Sequence, residues 1–519
     1  MEPMMTLAAP ETRRASLIVA AALSLIASAP AHAQPLDGPP ADPRFRFSTA
    51  MPEGVAIPDQ VETRLGTLRF RGGFPDDATT DTLLDNLDFQ RAVQAYLLAL
   101  PAVNMAFNRD VIRALGPVNA TVPIFEDLLD SRSVFLTPNN NTTYTWAFID
   151  LSDGPLVVTA PPGVLGAVDD MWYRWVIDIG MTGPDGGRGG SYLFLPPDHE
   201  GDAPAGDYVS VVRSPTYNLW VVWRTFLENG DPKPGVDRVK AHTRIHAPGA
   251  EPGPMTFVNL SGMPLNTVAP ADHRYWALLN EVVQTEPQGS LDEVRLGYFA
   301  SIGIAKGQPF APDERMTAIL AEAAAVGDAT ARAIAFRFRD RRGYYYEDGS
   351  WQLPFVGGYR FQSDPGVLNL DGSIFYFFMA TGVTPAMEQR MVGVGSQYAW
   401  TGRDANGAAL DGGATYRLRL PPNVPVKDFW SVIPYSNQTR AMIQTDQRFP
   451  GLSSQKEGLI VNPDGSVDIW FGPEAPAGMA PNWVQTAEGT TWNVILRLYG
   501  PLEPWFDKSW RPGEIERLP

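Results

Sequence analysis

The chain has 519 residues, 58 acidic against 41 Lys and Arg side chains for a net charge of −17, and no cysteine. That balance, with no Lys/Arg run, excludes nucleic acid as a partner, because polyanion binding needs clustered positive charge. The missing cysteine excludes disulfides, thiolate metal sites and thiol catalysis. With 44% hydrophobic and 19% charged residues the chain is globular, and its 48 prolines and 48 glycines supply the turns of a β-rich architecture.

The first 33 residues read as a cleavable signal peptide. Arg13 and Arg14 form the positive n-region, Leu17 to Ala27 a short apolar run, and Ala31-His32-Ala33 the small-x-small cleavage signature. Cleavage near Ala33 implies a periplasmic or secreted protein, and the paired arginines leave both the general secretory and the twin-arginine route open. No later run is apolar and long enough for a permanent membrane anchor.

Residues 34–78, rich in Pro, Asp and Ala, read as an extended lead-in. A helical segment is expected over 79–130, since Leu83, Leu84, Leu87, Val93, Tyr96, Leu97 and Leu100 recur at helical spacing. Pro101 should interrupt it. An N-terminal β-sandwich is expected over 131–250, from aromatic strands at 144–149, 172–177, 191–195 and 219–223 divided by glycine-rich turns. A helical linker follows over 251–345. One helix is expected from His273 to Val283, and another opens at Pro312-Asp313-Glu314 and runs to about Phe338 with a break or bend at Gly327-Asp328. Residues 346–519 close the chain with a C-terminal β-sandwich, where Tyr416 to Leu420 alternates cleanly and Asn462-Pro463-Asp464-Gly465-Ser466 reads as a hairpin turn between 459–461 and 467–470. The fold class is mainly β with helical segments, α+β.

Several strings resemble a family of bacterial exported proteins built from two domains of unknown function, numbered 1254 on the N-terminal side and 1214 on the C-terminal side. The first resemblance lies in Thr137-Pro138-Asn139-Asn140-Asn141-Thr142, Tyr144, Trp146, Asp150 to Pro155, and Gly187, Gly190, Tyr192 and Leu193. The second lies in Pro421, Phe429-Trp430-Ser431, Tyr435, Asp464-Gly465-Ser466, Asn482-Trp483 and Arg497-Leu498-Tyr499 with Pro501. The resemblance implies two jelly-roll-like β-sandwiches linked by an α-helical region and implies no activity. Where the family usually has Asp this chain has Asn141, so no carboxylate role carries over there.

Candidate ligand-binding residues are Asn139, Asn140, Asn141 and Thr142, whose consecutive polar side chains suit a polar ligand or equally a turn. Tyr144 follows them, and Trp430 and Tyr435, with Trp483, offer an aromatic wall or plain core packing. Asp178 and Arg224, each beside an aromatic strand, are the catalytic candidates; a structural ion pair would use the same residues. His242 and His246 are four apart in a segment read as strand or turn, which separates them too far for one zinc ion. The Asn462 to Asp468 pattern opens like a calcium loop but lacks its distal Glu. No G-x-S-x-G, H-E-x-x-H, P-loop or dinucleotide fingerprint is present, so neither metal nor cofactor is expected. Two functions remain: a metal-independent hydrolase or lyase acting on a glycan or amphiphilic small molecule in an inter-domain cleft, or a non-catalytic periplasmic binding or scaffolding protein. Homo-oligomerisation is left open.

Overall fold

The computed structural model describes residues 44–519; the expected signal peptide and the start of the lead-in lie outside the described residues. Residues up to Leu84 form one compact unit and Asp85–Pro519 a second. In the first, the strands Gln60–Thr63, Gly66–Arg71 and Phe74–Pro75 make a small antiparallel sheet. Asp76 then accepts a hydrogen bond from the Thr79 amide at 2.8 Å, capping the helix Asp77–Arg113.

That helix does not stop at Pro101. The proline forfeits one backbone hydrogen bond, but Ala95, Ala99, Ala102, Val103 and Ala106 around it are fully buried, and packing overrides the local penalty. Of the break or bend expected at Gly327, no break occurs, because the helix Glu314–Phe336 is continuous through it. A Cβ at Gly327 would lie 2.5 Å from the Tyr96 ring, so glycine serves close helix approach here. Asp313 starts this helix by accepting from the Met316 amide at 2.7 Å.

The fold is mainly β, with seven α-helices among the described residues. In the N-terminal half a six-stranded sheet has the order Thr256–Asn259, Thr121–Ile124, Thr142–Asp150, Asn218–Phe226, Leu165–Asp170, Trp175–Gly180. A four-stranded sheet, Ser210–Arg213, Gly190–Leu195, Leu156–Ala160, Arg244–His246, packs on it through Val122, Ile149, Val158, Phe194 and Val221. Two of the six strands, at 121–124 and 256–259, lie in stretches expected to be helical. They pair with each other in parallel, which short local patterns do not signal. The strand expected at 172–177 begins only at Trp175, since the Asp170 carboxylate accepts from the Trp172 and Arg174 amides and folds that stretch into a turn.

The C-terminal half repeats the plan. Ser396–Thr401, Thr491–Pro501, Val426–Ser436 and Leu452–Ser453 run side by side, with Leu410–Asp411 added to the second. The sheet Trp483–Gln485, Val467–Gly472, Tyr416–Leu420, Ile515–Arg517 covers them across Ala399, Leu418, Val432, Phe471 and Leu496. The turn at Asn462 forms, with Gly465 N donating to Asn462 O at 2.8 Å. Residues 459–461 are not a strand, however; Val467–Gly472 pairs instead with Tyr416–Leu420 and Trp483–Gln485.

In each half the larger sheet is buried on both faces. Side chains alternate across a strand, so Ala147, Ile149, Leu219 and Val221 point to the partner sheet. Tyr144, Trp146, Phe148 and Trp220 point to a central core shared with the helices. In the C-terminal sheet Ala399, Val494 and Leu496 face its own sandwich. Tyr398, Trp400 and Ile495 face the same central core. Helix Leu370–Met379 runs through that core, its residues from Ile374 onward all buried, as an all-round apolar helix must be.

Candidate functional site

Where the two large sheets meet, a cavity of about 110 Å³ is left in the central core. At about 10–15 Å³ per water-sized position, it has room for about seven to eleven non-hydrogen atoms. Leu165, Ala167 and Asp169 from one strand, with Trp220, Val222 and Arg224 from its neighbour, form one wall. These residues are spaced by two and therefore share a face. Tyr398, Trp400, Ile495 and Arg497 from the C-terminal sheet form the opposite wall, and Phe355, Tyr376, Val383 and Thr384 come from the segment between the sandwiches.

One end is cationic. Tyr144 stands directly opposite Arg224 in the N-terminal sheet, and Tyr398 directly opposite Arg497 in the C-terminal sheet. Each sheet thus contributes one cross-strand Arg–Tyr pair. Arg497 is 4% exposed; its Nη2 donates to the Thr137 carbonyl at 2.7 Å, while Nη1 has no hydrogen-bond partner. Its guanidinium lies 5.4 Å from the Tyr435 ring centre and 5.8 Å from that of Tyr398. Burial opposes the charge on Arg224, but the phenolic oxygens of Tyr398, Tyr144 and Tyr499 and a hydrogen bond with Tyr398 outweigh it, so the group is held charged. Burial likewise opposes the charge on Arg497 and is outweighed by Tyr435, Tyr499, Tyr144 and Tyr398. Among the described residues no carboxylate forms an ion pair with either arginine.

The other end is acidic. Asp169 pairs with Trp220 and Arg224 with Leu165, so the two charged residues sit four positions apart along adjacent strands, about 13 Å at about 3.3 Å per residue. Asp169 is fully buried; one oxygen accepts from the Val383 amide at 2.8 Å and the other has no partner. Burial drives its pKa well above the ordinary carboxylate range, the Val383 amide pulls it back, and Asp170 and Asp178 add to the rise. Burial therefore favours the protonated form of Asp169, and a protonated carboxyl there can donate one hydrogen bond into the cavity.

The sequence candidates divide around this cavity. Tyr144 and Arg224 line it together. Asn139 does not line it but positions Tyr144: its amide N and Nδ2 both donate to the phenol oxygen, at 3.1 and 2.8 Å, which leaves the phenol proton free to donate. The Asn139 Oδ1 closes its own turn on the Asn141 and Thr142 amides and the Thr142 hydroxyl. Asn140, Asn141 and Thr142 are outside the lining. Tyr435 donates to the Pro138 carbonyl and lies beneath Arg497, so it braces the cationic end. Trp430 packs in the interior of the C-terminal sandwich, away from the cavity. Asp178 and Arg224 do not face each other. The Asp178 carboxylate takes hydrogen bonds from Trp175 Nε1 at 2.8 Å and Thr384 Oγ1 at 2.6 Å, which ties the acidic end to the 380–384 loop. His242 ends a helix and His246 lies on a strand.

Arg497 and Asp169 were not among the expected site residues. Both interrupt apolar runs, Val494-Ile495-Leu496-Arg497-Leu498 and Leu165-Gly166-Ala167-Val168-Asp169, and a charge inside such a strand is the signal that marks them.

Fold and site together define a two-sandwich protein with a two-ended cavity between its large sheets, one end cationic and the other carrying the buried carboxyl group of Asp169. The family models give the halves their names. The family described as Protein of unknown function (DUF1254) matches residues 120–247, and Protein of unknown function (DUF1214) matches 395–503. The chain carries both domains, in the order its motifs implied. Each supplies one Arg–Tyr pair of the cavity. The VPA0106 protein of Vibrio parahaemolyticus is similar in fold, with a TM-score of 0.50 at 18% identity over 83% of this chain and 100% of its own. An uncharacterized protein from Burkholderia cenocepacia gives a TM-score of 0.37 at 14% identity, covering 85% of this chain and 97% of its own. No curated protein matches the chain.

Proposed function

We propose that this chain is an exported binding protein whose cavity seats a small amphiphilic organic anion, its charged group on Arg224 and Arg497 and its body reaching toward Asp169. The observation that carries this reading is the pair of arginines lining one cavity with no acidic partner (Arg497 with an unbonded Nη1). Taking a charge out of water costs several kcal/mol unless it is paired; a carboxylate, sulfate or phosphate would supply the missing partner, with guanidinium geometry suited to two parallel hydrogen bonds. Trp220, Phe355, Tyr376 and Trp400 supply an apolar middle. Export rests on the leader, with cleavage near Ala33.

A catalytic reading, hydrolase or lyase, rests on Asp169, whose retained proton is the requirement for a general acid. Among the described residues that line the cavity, Asp169 is the one carboxyl group and there is no histidine; Asp170 and Asp178 lie near it but outside the lining, so no second carboxyl or imidazole faces the same space. Binding is therefore the better supported function.

A matched pair of probes tests it. Octanoate at 100 times its dissociation constant should raise unfolding stability by about 2.7 kcal/mol, read as a rise in melting temperature, whereas octan-1-ol, with the same chain and no charge, should give a far smaller rise. Equal shifts from the acid and the alcohol would remove the arginines from the account.

A further inference from the structure

A second and larger pocket, about 440 Å³, opens on the other side of the Asp169–Asp170 strand end. It has no residue in common with the cavity: Asp169 lines one space and Asp170 the other. We propose that this outer pocket binds an acidic saccharide, its carboxylates on Arg174, Arg295 and Arg360 and its ring against Trp175 and Tyr359.

Three arginines converge there on a protein whose net charge is −17. Arg174 is tied to the buried Asp170 at 2.7 Å and Arg295 to Asp292 at 2.7 Å, which fixes both guanidiniums in place. Arg360 is exposed, lies 5.4 Å from the Tyr359 ring centre, and among the described residues has no ion-pair partner. Asp170 and Asp292 offset Arg174 and Arg295, which leaves the Arg360 charge as the pocket's positive excess. Burial lowers the pKa of Arg295, Asp292 opposes this, and nearby Arg174 lowers it further; the two cations repel and an anion between them relieves that repulsion.

The apolar part has its own shape. Trp175 and Tyr359 meet edge to face at 5.9 Å, and both remain partly exposed. Partly exposed aromatic rings beside fixed guanidiniums suit a ligand with an apolar ring face and charged edges, which a sugar acid has and a simple inorganic anion lacks. The volume falls within the range of about 300–1,000 Å³ usual for small-molecule sites. Each local feature follows from sequence: the Asp170 turn that displaced the expected strand start is what presents Trp172 and Arg174 to this pocket.

The test is calorimetric titration of the full chain with trigalacturonate, its fully methyl-esterified form, sodium sulfate and adenosine monophosphate. Trigalacturonate should bind, and the neutral ester should bind at least tenfold more weakly. Arg360→Ala should lower trigalacturonate affinity by about ten- to a hundredfold, the equivalent of one charged hydrogen bond, and Trp175→Ala by several fold. Arg360 is exposed, so its variant should keep the parent melting temperature and the parent response to octanoate, which separates failure here from failure of the cavity reading. Equal binding of acid and ester, sulfate competing as well as the saccharide, tighter binding of the nucleotide, or an Arg360→Ala affinity equal to the parent would each overturn the proposal.

Discussion

Arg224→Met is expected to do two things that rarely go together: lower the affinity for octanoate by about ten- to a hundredfold and leave the protein as stable as before or more so. The first follows from removing a charged hydrogen-bond donor from a water-poor site, worth about 1.5–3 kcal/mol. The second follows because the tyrosine oxygens around Arg224 only offset the cost of desolvating its guanidinium, and a hydrophobic side chain of similar volume often replaces such a group at no loss. Arg224 lines the cavity beside Tyr398 and makes no ion pair among the described residues, so little else is broken. Residues that only hold a fold together show the opposite signature, lower stability with unchanged ligand affinity. Parallel melting and octanoate titration of parent and variant read both quantities, and a destabilised variant with parent affinity would reassign Arg224 to architecture.

The second large effect concerns Asp169 and pH. Its folded-state pKa lies well above its unfolded value near 3.8. Between those two values the folded state holds one more proton than the unfolded state, so stability falls as pH rises, with a slope of about 1.4 kcal/mol per pH unit for one proton. Asp170 and Asp178 are also raised by burial, and Glu286 is raised to about 7, mainly by burial, so the parent protein has several such contributions. Asp169→Asn isolates one of them, because an amide keeps the acceptor for the Val383 N–H and cannot ionise. Denaturation curves at pH 4 and pH 8 should show parent and variant close together at pH 4 and the variant clearly more stable at pH 8. Equal pH dependence in the two proteins would mean that burial does not raise the Asp169 pKa.

The legible part of this molecule was its local pattern. Strands such as Thr142–Asp150 and Asn218–Phe226 declare themselves by aromatic and β-branched residues, and helix Glu314–Phe336 by the proline and acidic residues at its start. The misread parts were decided by distant partners. Pro101 stays helical because the core closes around it, Gly327 because Tyr96 needs the space, and 121–124 becomes a strand because 256–259 lies alongside. The site follows the same division. Arg224 and Tyr144 were visible as polar residues at the ends of aromatic strands, but their pairing is a matter of register. Nothing near Arg497 in sequence says that its sheet faces the one bearing Arg224. The asparagine loop drew attention as a ligand surface, whereas its part in the site is to aim the Tyr144 hydroxyl through Asn139.

The central claim is that the cavity orients an amphiphilic anion, charge toward the two Arg–Tyr pairs and tail toward Asp169. The most direct measurement is a crystal structure with 8-bromooctanoate, located by the anomalous scattering of bromine. The account predicts the carboxylate on Arg224 and Arg497 and the bromine peak among Trp220, Val383 and Thr384. A ligand bound only outside the cavity, or bound inside with bromine at the arginines and carboxylate at Asp169, would contradict it.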